Sequence, residues 1–260
     1  TGPIFLAYAK NKTLKSIIEA YIKDGAPLYH FTADDQVIHT VWKVTQDIGA
    51  KISQAFEGID SLYIADGHHR AAAASVVAAQ RQTPKSQYFL SVAFDEEELH
   101  IMDYNRVVKD LNGLSIDELI NRISKEFIVE PVESIYKPNT KHSFGMYCNK
   151  QWYRVAAKEH IISQDIVQSL DVSILQDYIL DPVLGIKEPR EDKRIEFIGG
   201  IRGLKYLEEV ADSYNGIAFS MFPTSIQELM AVADMNALMP PKSTWFEPKL
   251  RSGIFINPLD

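Results

Sequence analysis

One stretch constrains this chain more than any other: the apolar run Tyr63-Ile64-Ala65 stops at Asp66-Gly67, passes through His68-His69-Arg70 and enters Ala71-Ala72-Ala73-Ala74. Alanine is the strongest helix former, and a short apolar run closed by an acid and a glycine reads as the end of a strand. The order is therefore strand (Leu62 to Ala65), tight turn, then helix (Ala71 to Gln80), with Ala74, Val77 and Ala78 as the buried stripe of that helix. The first amides of a helix have no intrahelical acceptor and the dipole there is positive, so such a junction receives anions, phosphate above all. Gly67 permits a sharp turn or a close backbone approach to a ligand. Arg70 offers a planar fork of donors suited to phosphate or carboxylate.

The surroundings limit what that turn can serve. At 260 residues, 46% hydrophobic and 24% charged, the chain can bury a sizeable core as one large domain or two ordinary ones. A net charge of -8 argues against a surface for nucleic acid or anionic membrane, which needs clustered Lys and Arg, so any anion site is local. The single cysteine, Cys148, excludes an internal disulfide framework and a Cys-rich zinc site, and no metal site is expected. It fits a reducing compartment, so a cytoplasmic protein is expected, with Cys148 as a small packing residue in a strand. No run approaches the ~18 apolar residues that span a bilayer. The chain enters the strand-like Ile4-Phe5-Leu6-Ala7-Tyr8 directly after Thr1-Gly2-Pro3 and has no initiator Met, so a longer protein with a further N-terminal segment is expected.

Periodicity outlines the rest. A helix is expected from Thr13, as N-cap, to a stop at Gly25, and a hairpin from Leu28 to Phe31 and Val37 to Val44. A helix over Ile48 to Phe56 precedes the central strand. Strands over Tyr88 to Phe94 and Leu99 to Tyr104 follow, separated by the acidic turn Asp95-Glu96-Glu97-Glu98, read as a solvated turn. The texture changes after Asp110, which divides the chain into 1-110 and 111-260. Beyond it come a capping-box helix from Ser115, a hairpin of Ser143 to Cys148 with Trp152 to Ala157, and a helix over Asp171 to Leu180. Then follow a strand at Ile195 to Ile198, a helix at Leu204 to Ala211, a strand at Ile217 to Phe222 and a capped helix opened by Thr224-Ser225. Hairpins mixed with separate helices predict an α+β (mixed α/β) fold rather than a regular doubly wound sheet.

The turn Ala65-Asp66-Gly67-His68-His69-Arg70 resembles the phosphate-contacting turn of the ParB/sulfiredoxin superfamily, especially its free-serine-kinase branch, where a similar Asp-Gly-His-x-Arg turn opens a helix. More of the chain resembles the prokaryotic domain-of-unknown-function family numbered 1015. That likeness is carried by Gly2-Pro3-Ile4-Phe5-Leu6, by the turn, by Tyr104-Asn105-Arg106-Val107-Val108-Lys109-Asp110-Leu111-Asn112-Gly113 and by the block from Met239 to Leu250. The resemblance implies a ParB/sulfiredoxin-like subdomain followed by a second mixed sheet-and-helix subdomain. It also implies a phosphate or nucleotide ligand, with Mg²⁺ and ATP or ADP as cofactors. In the serine kinases a catalytic acid lies well upstream of the turn, and no residue here matches it.

Phosphoryl transfer needs backbone amides, a cation and a proton acceptor converging on the phosphate. Gly67, His68, His69 and Arg70 are the expected phosphate-binding residues, and His68, His69 and Asp66 the expected catalytic ones. In a strand geometry adjacent side chains diverge, so only one histidine is expected to face the ligand. The other reading of the same residues is capping and packing, with Asp66 binding backbone amides. Lys242-Ser243-Thr244 ends like a Walker A loop, but its glycine lead-in is missing and prolines bracket it, so the P-loop reading is rejected. Lys242, Ser243, Thr244 and Lys249 are either substrate or nucleotide contacts or part of a C-terminal strap. Gly199-Gly200-Ile201-Arg202-Gly203 reads as a tight turn, and His30 and His39 as a structural pair facing each other across the first hairpin.

Three classes of function follow. The first is a small-molecule kinase acting on a serine-like hydroxyl, or a related phosphoryl-transfer enzyme. The second is a non-catalytic nucleotide- or ligand-sensing module. The third is ParB-like DNA binding, which the acidic balance and the lack of a basic recognition helix count against.

Overall fold

The computed structural model describes residues 2-258 and is a mixed α+β protein folded as two compact units. One unit runs up to Leu99 and takes in the segment from Leu250 onward. The other spans His100–Lys249.

The first unit is organised on β1 (Ile4–Tyr8), whose five residues are all buried. It is followed by α1 (Lys12–Asp24), capped by Asn11 rather than the expected Thr13: the Asn11 side chain accepts the Leu14 N–H at 3.0 Å. Asparagine is as good an N-cap as threonine, and starting two residues earlier brings Leu14 into the core with no exposure. The expected hairpin forms as β2 (Tyr29–Thr32) and β3 (Ile38–Val41), but its register pairs His30 with Thr40 and Phe31 with His39. His30 and His39 therefore lie on opposite faces, not opposite each other. His30 Nδ1 lies 3.0 Å from Thr40 Oγ1, and His39 stacks on Phe31 at 5.2 Å.

After α2 (Gln46–Phe56) the chain forms β4 (Tyr63–Asp66), α3 (His68–Arg81) and β5 (Ser91–Asp95). The sheet order is β4-β1-β5, with β1 antiparallel to β4 and parallel to β5. Phe5 packs on Phe94 with ring centroids 5.0 Å apart, and Tyr8 meets Phe56 edge-on at 5.4 Å. The expected strand from Tyr88 starts only at Ser91, because Lys85–Gln87 turns as a short 3₁₀ segment and leaves Tyr88 and Phe89 exposed ahead of the strand. Of the acidic turn, Glu97 and Glu98 are exposed as expected, but Asp95 is buried at 2% exposure, where it accepts the Glu97 N–H, and Lys10 pairs with Glu97.

In the second unit the strand read as Leu99 to Tyr104 is broken at buried Asp103 into β6 (His100–Met102) and β7 (Tyr104–Val108). Then come α4 (Ile116–Ile123), β8 (Phe127–Val132), β9 (Ser143–Cys148), β10 (Gln151–Ala157), α5 (Asp171–Leu175), β11 (Ile195–Gly199), α6 (Leu204–Tyr214), β12 (Ile217–Ser220), α7 (Ile226–Asp234) and β13 (Trp245–Glu247). A π-helical turn, Gln176–Leu180, continues α5. Six strands form an antiparallel sheet in the order β11-β7-β12-β9-β10-β8, while β6 pairs with β13. Both faces of the large sheet are covered. Phe144, Met146, Ile217 and Phe219 join the larger core, whereas Val107, Tyr147, Trp152 and Ala218 pack with Leu207 of α6. Gly145 is required there, since a Cβ would come 2.5 Å from the Tyr136 carbonyl oxygen. Cys148 is buried in β9 as expected, and burial raises its thiol pKa to about 11. Because β7 belongs to this sheet, the division expected after Asp110 falls inside the second unit.

Candidate functional site

The central turn is built by β4, Gly67 and α3. The helix begins at His68, three residues before the expected Ala71, so His68, His69 and Arg70 form its first turn. Gly67 is the N-cap with φ 96°, a left-handed conformation that glycine enters without steric cost. No side chain caps the helix. The first intrahelical bond runs from Ala71 N–H to Gly67 O at 2.9 Å, so the amides of His68, His69 and Arg70 stand ahead of it at the positive end of the dipole. Among the described residues the one backbone amide that donates to the Asp66 carboxylate is that of Gly67, at 2.8 Å. The capping half of the packing alternative is thereby reduced to one bond.

Arg70 is held from two sides. Phe5 pairs with Asp66 in the β1–β4 register, which runs the residues ahead of β1 past the turn, and Arg70 Nη1 donates to Pro3 O at 2.6 Å. Arg70 Nη2 lies 3.5 Å from Asp66 Oδ2. The guanidinium side chain remains one-third exposed. Gly2 gives it room, since a Cβ there would approach Arg70 Nη1 to 2.9 Å.

His69 and Arg70 line a cleft of about 750 Å³ whose walls include Ala73, Val77, Tyr88, Phe89 and Phe255. His68 is exposed and is not part of that lining. Successive helical residues point about 100° apart, so one of the two histidines faces the cleft for a helical reason, not the strand geometry assumed from sequence. A second cleft of about 700 Å³ lies between α1 and α2 and contains no residue of the turn. Tyr88, Phe89 and Phe255 are cleft residues that sequence reasoning missed. Their one sequence signal was an apolar run assigned to strand, and the segment holding Phe255 lies far along the chain.

Lys242, Ser243, Thr244 and Lys249 belong to the second unit. Ser243 is buried, donating to Pro240 O at 2.6 Å, and its own carbonyl accepts from Thr224 Oγ1 at 3.1 Å. Lys242 Nζ lies 5.6 Å from the Tyr104 ring and Lys249 Nζ 4.6 Å from the Trp245 ring. Gly199 and Gly200 form the expected tight turn, with the Gly200 N–H donating to Asp103 O at 2.8 Å. Among the described residues no group of three or more His, Cys, Asp or Glu side chains could hold a metal ion, and no helix is long and apolar enough to cross a membrane.

The fold and the turn together define a mixed α+β protein in which the first turn of a helix without a side-chain cap contributes His69 and Arg70 to a partly aromatic cleft. The chain belongs to the family described as "Protein of unknown function (DUF1015)", whose profile matches residues 1–173. No curated protein matches it. Among solved structures it is similar to a free serine kinase in complex with AMP, at 14% identity over 93% of this chain and 83% of that one, with a TM-score of 0.43. A conserved hypothetical protein from Pyrococcus furiosus is similar at 14% identity, 93% and 86% coverage and TM-score 0.43. SbnI with C-terminal truncation, from Staphylococcus aureus, is similar at 12% identity, 97% and 82% coverage and TM-score 0.44.

Proposed function

We propose that this chain binds a nucleotide through its phosphates and acts as a small-molecule kinase, moving a phosphoryl group to a serine-like hydroxyl. One observation carries the reading: the first turn of α3, entered through a left-handed Gly67 and without a side-chain cap, puts His69 and the Arg70 guanidinium in the lining of a single cleft. Amides and guanidinium would take the phosphate oxygens, Tyr88, Phe89 and Phe255 would cover the apolar part of the ligand, and His69 would accept the proton of the attacking hydroxyl. Mg²⁺ would arrive with ATP or ADP, held by phosphate oxygens with Asp66 as the carboxylate at the turn, and would neutralise phosphate charge.

A module that senses its ligand without turnover is favoured by a different observation. Asp66 is already engaged by the Gly67 N–H and by Arg70, which leaves it poorly placed to activate a hydroxyl. Incubating the chain with Mg²⁺, ATP or ADP and a panel of hydroxyl metabolites including serine separates the two. Phosphorylated product supports the kinase, and nucleotide binding without product supports the sensor. Neither binding nor product, with no effect of Arg70→Ala on any ligand, overturns both.

A further inference from the structure

Two of the sequence blocks that carry the family likeness meet in the second unit, through Arg106 and Lys242, beside a cleft that contains no residue of the turn. Arg106, on β7, is 3% exposed, and its guanidinium donates to Tyr104 O and, at 3.1 Å, to Lys242 O. Its Cζ lies 5.6 Å from the Phe197 ring centroid. Carbonyls satisfy its hydrogen bonds but not its charge, and no carboxylate pairs with it among the described residues. Burial accordingly lowers its pKa to about 10.

Two more cations stand at the surface beside it. Lys242 and exposed Arg190 line a cleft of about 450 Å³ walled by Pro189, Ile195, Phe197 and Pro241. Neither forms an ion pair among the described residues. Lys242 adopts φ 58°, unusual for lysine, and Arg106 holds its carbonyl. The acid in the lining, Asp192, is neutralised by Arg194 at 2.9 Å. In a chain with 35 acidic and 27 basic residues, two cations without an ion pair among the described residues line this one cleft, Lys242 Nζ lying over the Tyr104 ring at 5.6 Å, and they call for an external anion.

We propose that this cleft binds the phosphate group of a small organic phosphate, between Lys242 Nζ and the Arg190 guanidinium. The two surface cations match the double charge of a phosphate better than the single charge of a carboxylate. The proline and phenylalanine walls receive the carbon portion of the ligand. Arg106 acts as a positioning residue, fixing the Lys242 backbone and adding its charge to the potential of the cleft.

Calorimetric titration tests this on the full chain carrying Arg70→Gln, so that binding at the helix turn is weakened and the effect of the further substitutions reads on this cleft. Phenyl phosphate is expected to bind more tightly than inorganic phosphate, and benzoate at least tenfold more weakly than phenyl phosphate. Adding Lys242→Asn and Arg190→Gln is expected to weaken phenyl phosphate binding at least tenfold. Asparagine tolerates the left-handed backbone, and exposed Arg190→Gln alone should give a severalfold loss with unchanged thermal stability. No binding of phenyl phosphate, equal binding of benzoate, or an affinity unmoved by the substitutions overturns the proposal.

Discussion

At the level of single residues, Gly67 and Asp171 make the sharpest demands. Gly67→Ala must place a Cβ in the left-handed region, 2.9 Å from Arg70 Nε. The arginine end can move, so the cost is mostly backbone strain, about 1–2 kcal/mol, and urea unfolding should show it as a lowered midpoint with an unchanged slope. Asp171 is 8% exposed. Its Oδ1 accepts the His142 N–H at 2.9 Å while its Oδ2 has no partner among the described residues, with Glu228, Lys141 and His142 facing it. Burial, with a smaller contribution from Glu228, raises its pKa to about 7 from 3.8. The folded chain therefore keeps a proton that the unfolded chain has lost, so this group makes stability fall as pH rises from about 4 to about 7 and level off above. Asp171→Asn should flatten that slope and stabilise the protein at pH 8 by roughly 1–2 kcal/mol, measured by unfolding at a series of pH values. A slope unchanged by the substitution would contradict the assignment.

Elements show which parts of the structure could be read from the chain and which could not. The hairpin β9–β10 was legible because two short, largely apolar runs flank Asn149-Lys150, which turn with φ of 49° and 61°, where asparagine is at ease. The Ser115 capping box was legible too, and so was a capped helix opening at Thr224-Ser225, whose cap is Ser225 with Glu228 closing the box. Ser225 Oγ accepts the Glu228 N–H at 3.1 Å, and Ser225→Ala should cost about 1 kcal/mol in thermal or urea unfolding. The start of α3 was not legible, because Gly67 caps by conformation, not by a side chain, and left no Ser, Thr or Asn to mark the boundary. Nor was the break at Asp103. The chain there reads as one strand, and only distant partners, β13 for β6 and the large sheet for β7, separate its halves. Pairings of such sequence separation leave no local pattern.

Across the whole molecule, the strand-turn-helix junction was readable as a motif, whereas the cleft that His69 and Arg70 line depends on residues brought from the far end of the chain. Arg251 pairs with Asp35 at 2.6 Å, and Phe255 lines the cleft with His69 and Arg70. Truncation after Lys249 should weaken nucleotide binding about threefold to tenfold, the worth of a lost aromatic contact. Hydrogen exchange should show the protection of β7, β9 and β12 unchanged. The most direct test of the phosphate-receiving turn is amide NMR of the chain titrated with Mg²⁺ and ADP. Shifts concentrated at Gly67 to Arg70, with affinity reduced about tenfold to a hundredfold by Arg70→Ala, are the result expected of a charge-assisted phosphate contact. Saturating nucleotide that leaves those four amides unmoved, or binds Arg70→Ala as tightly, would contradict it.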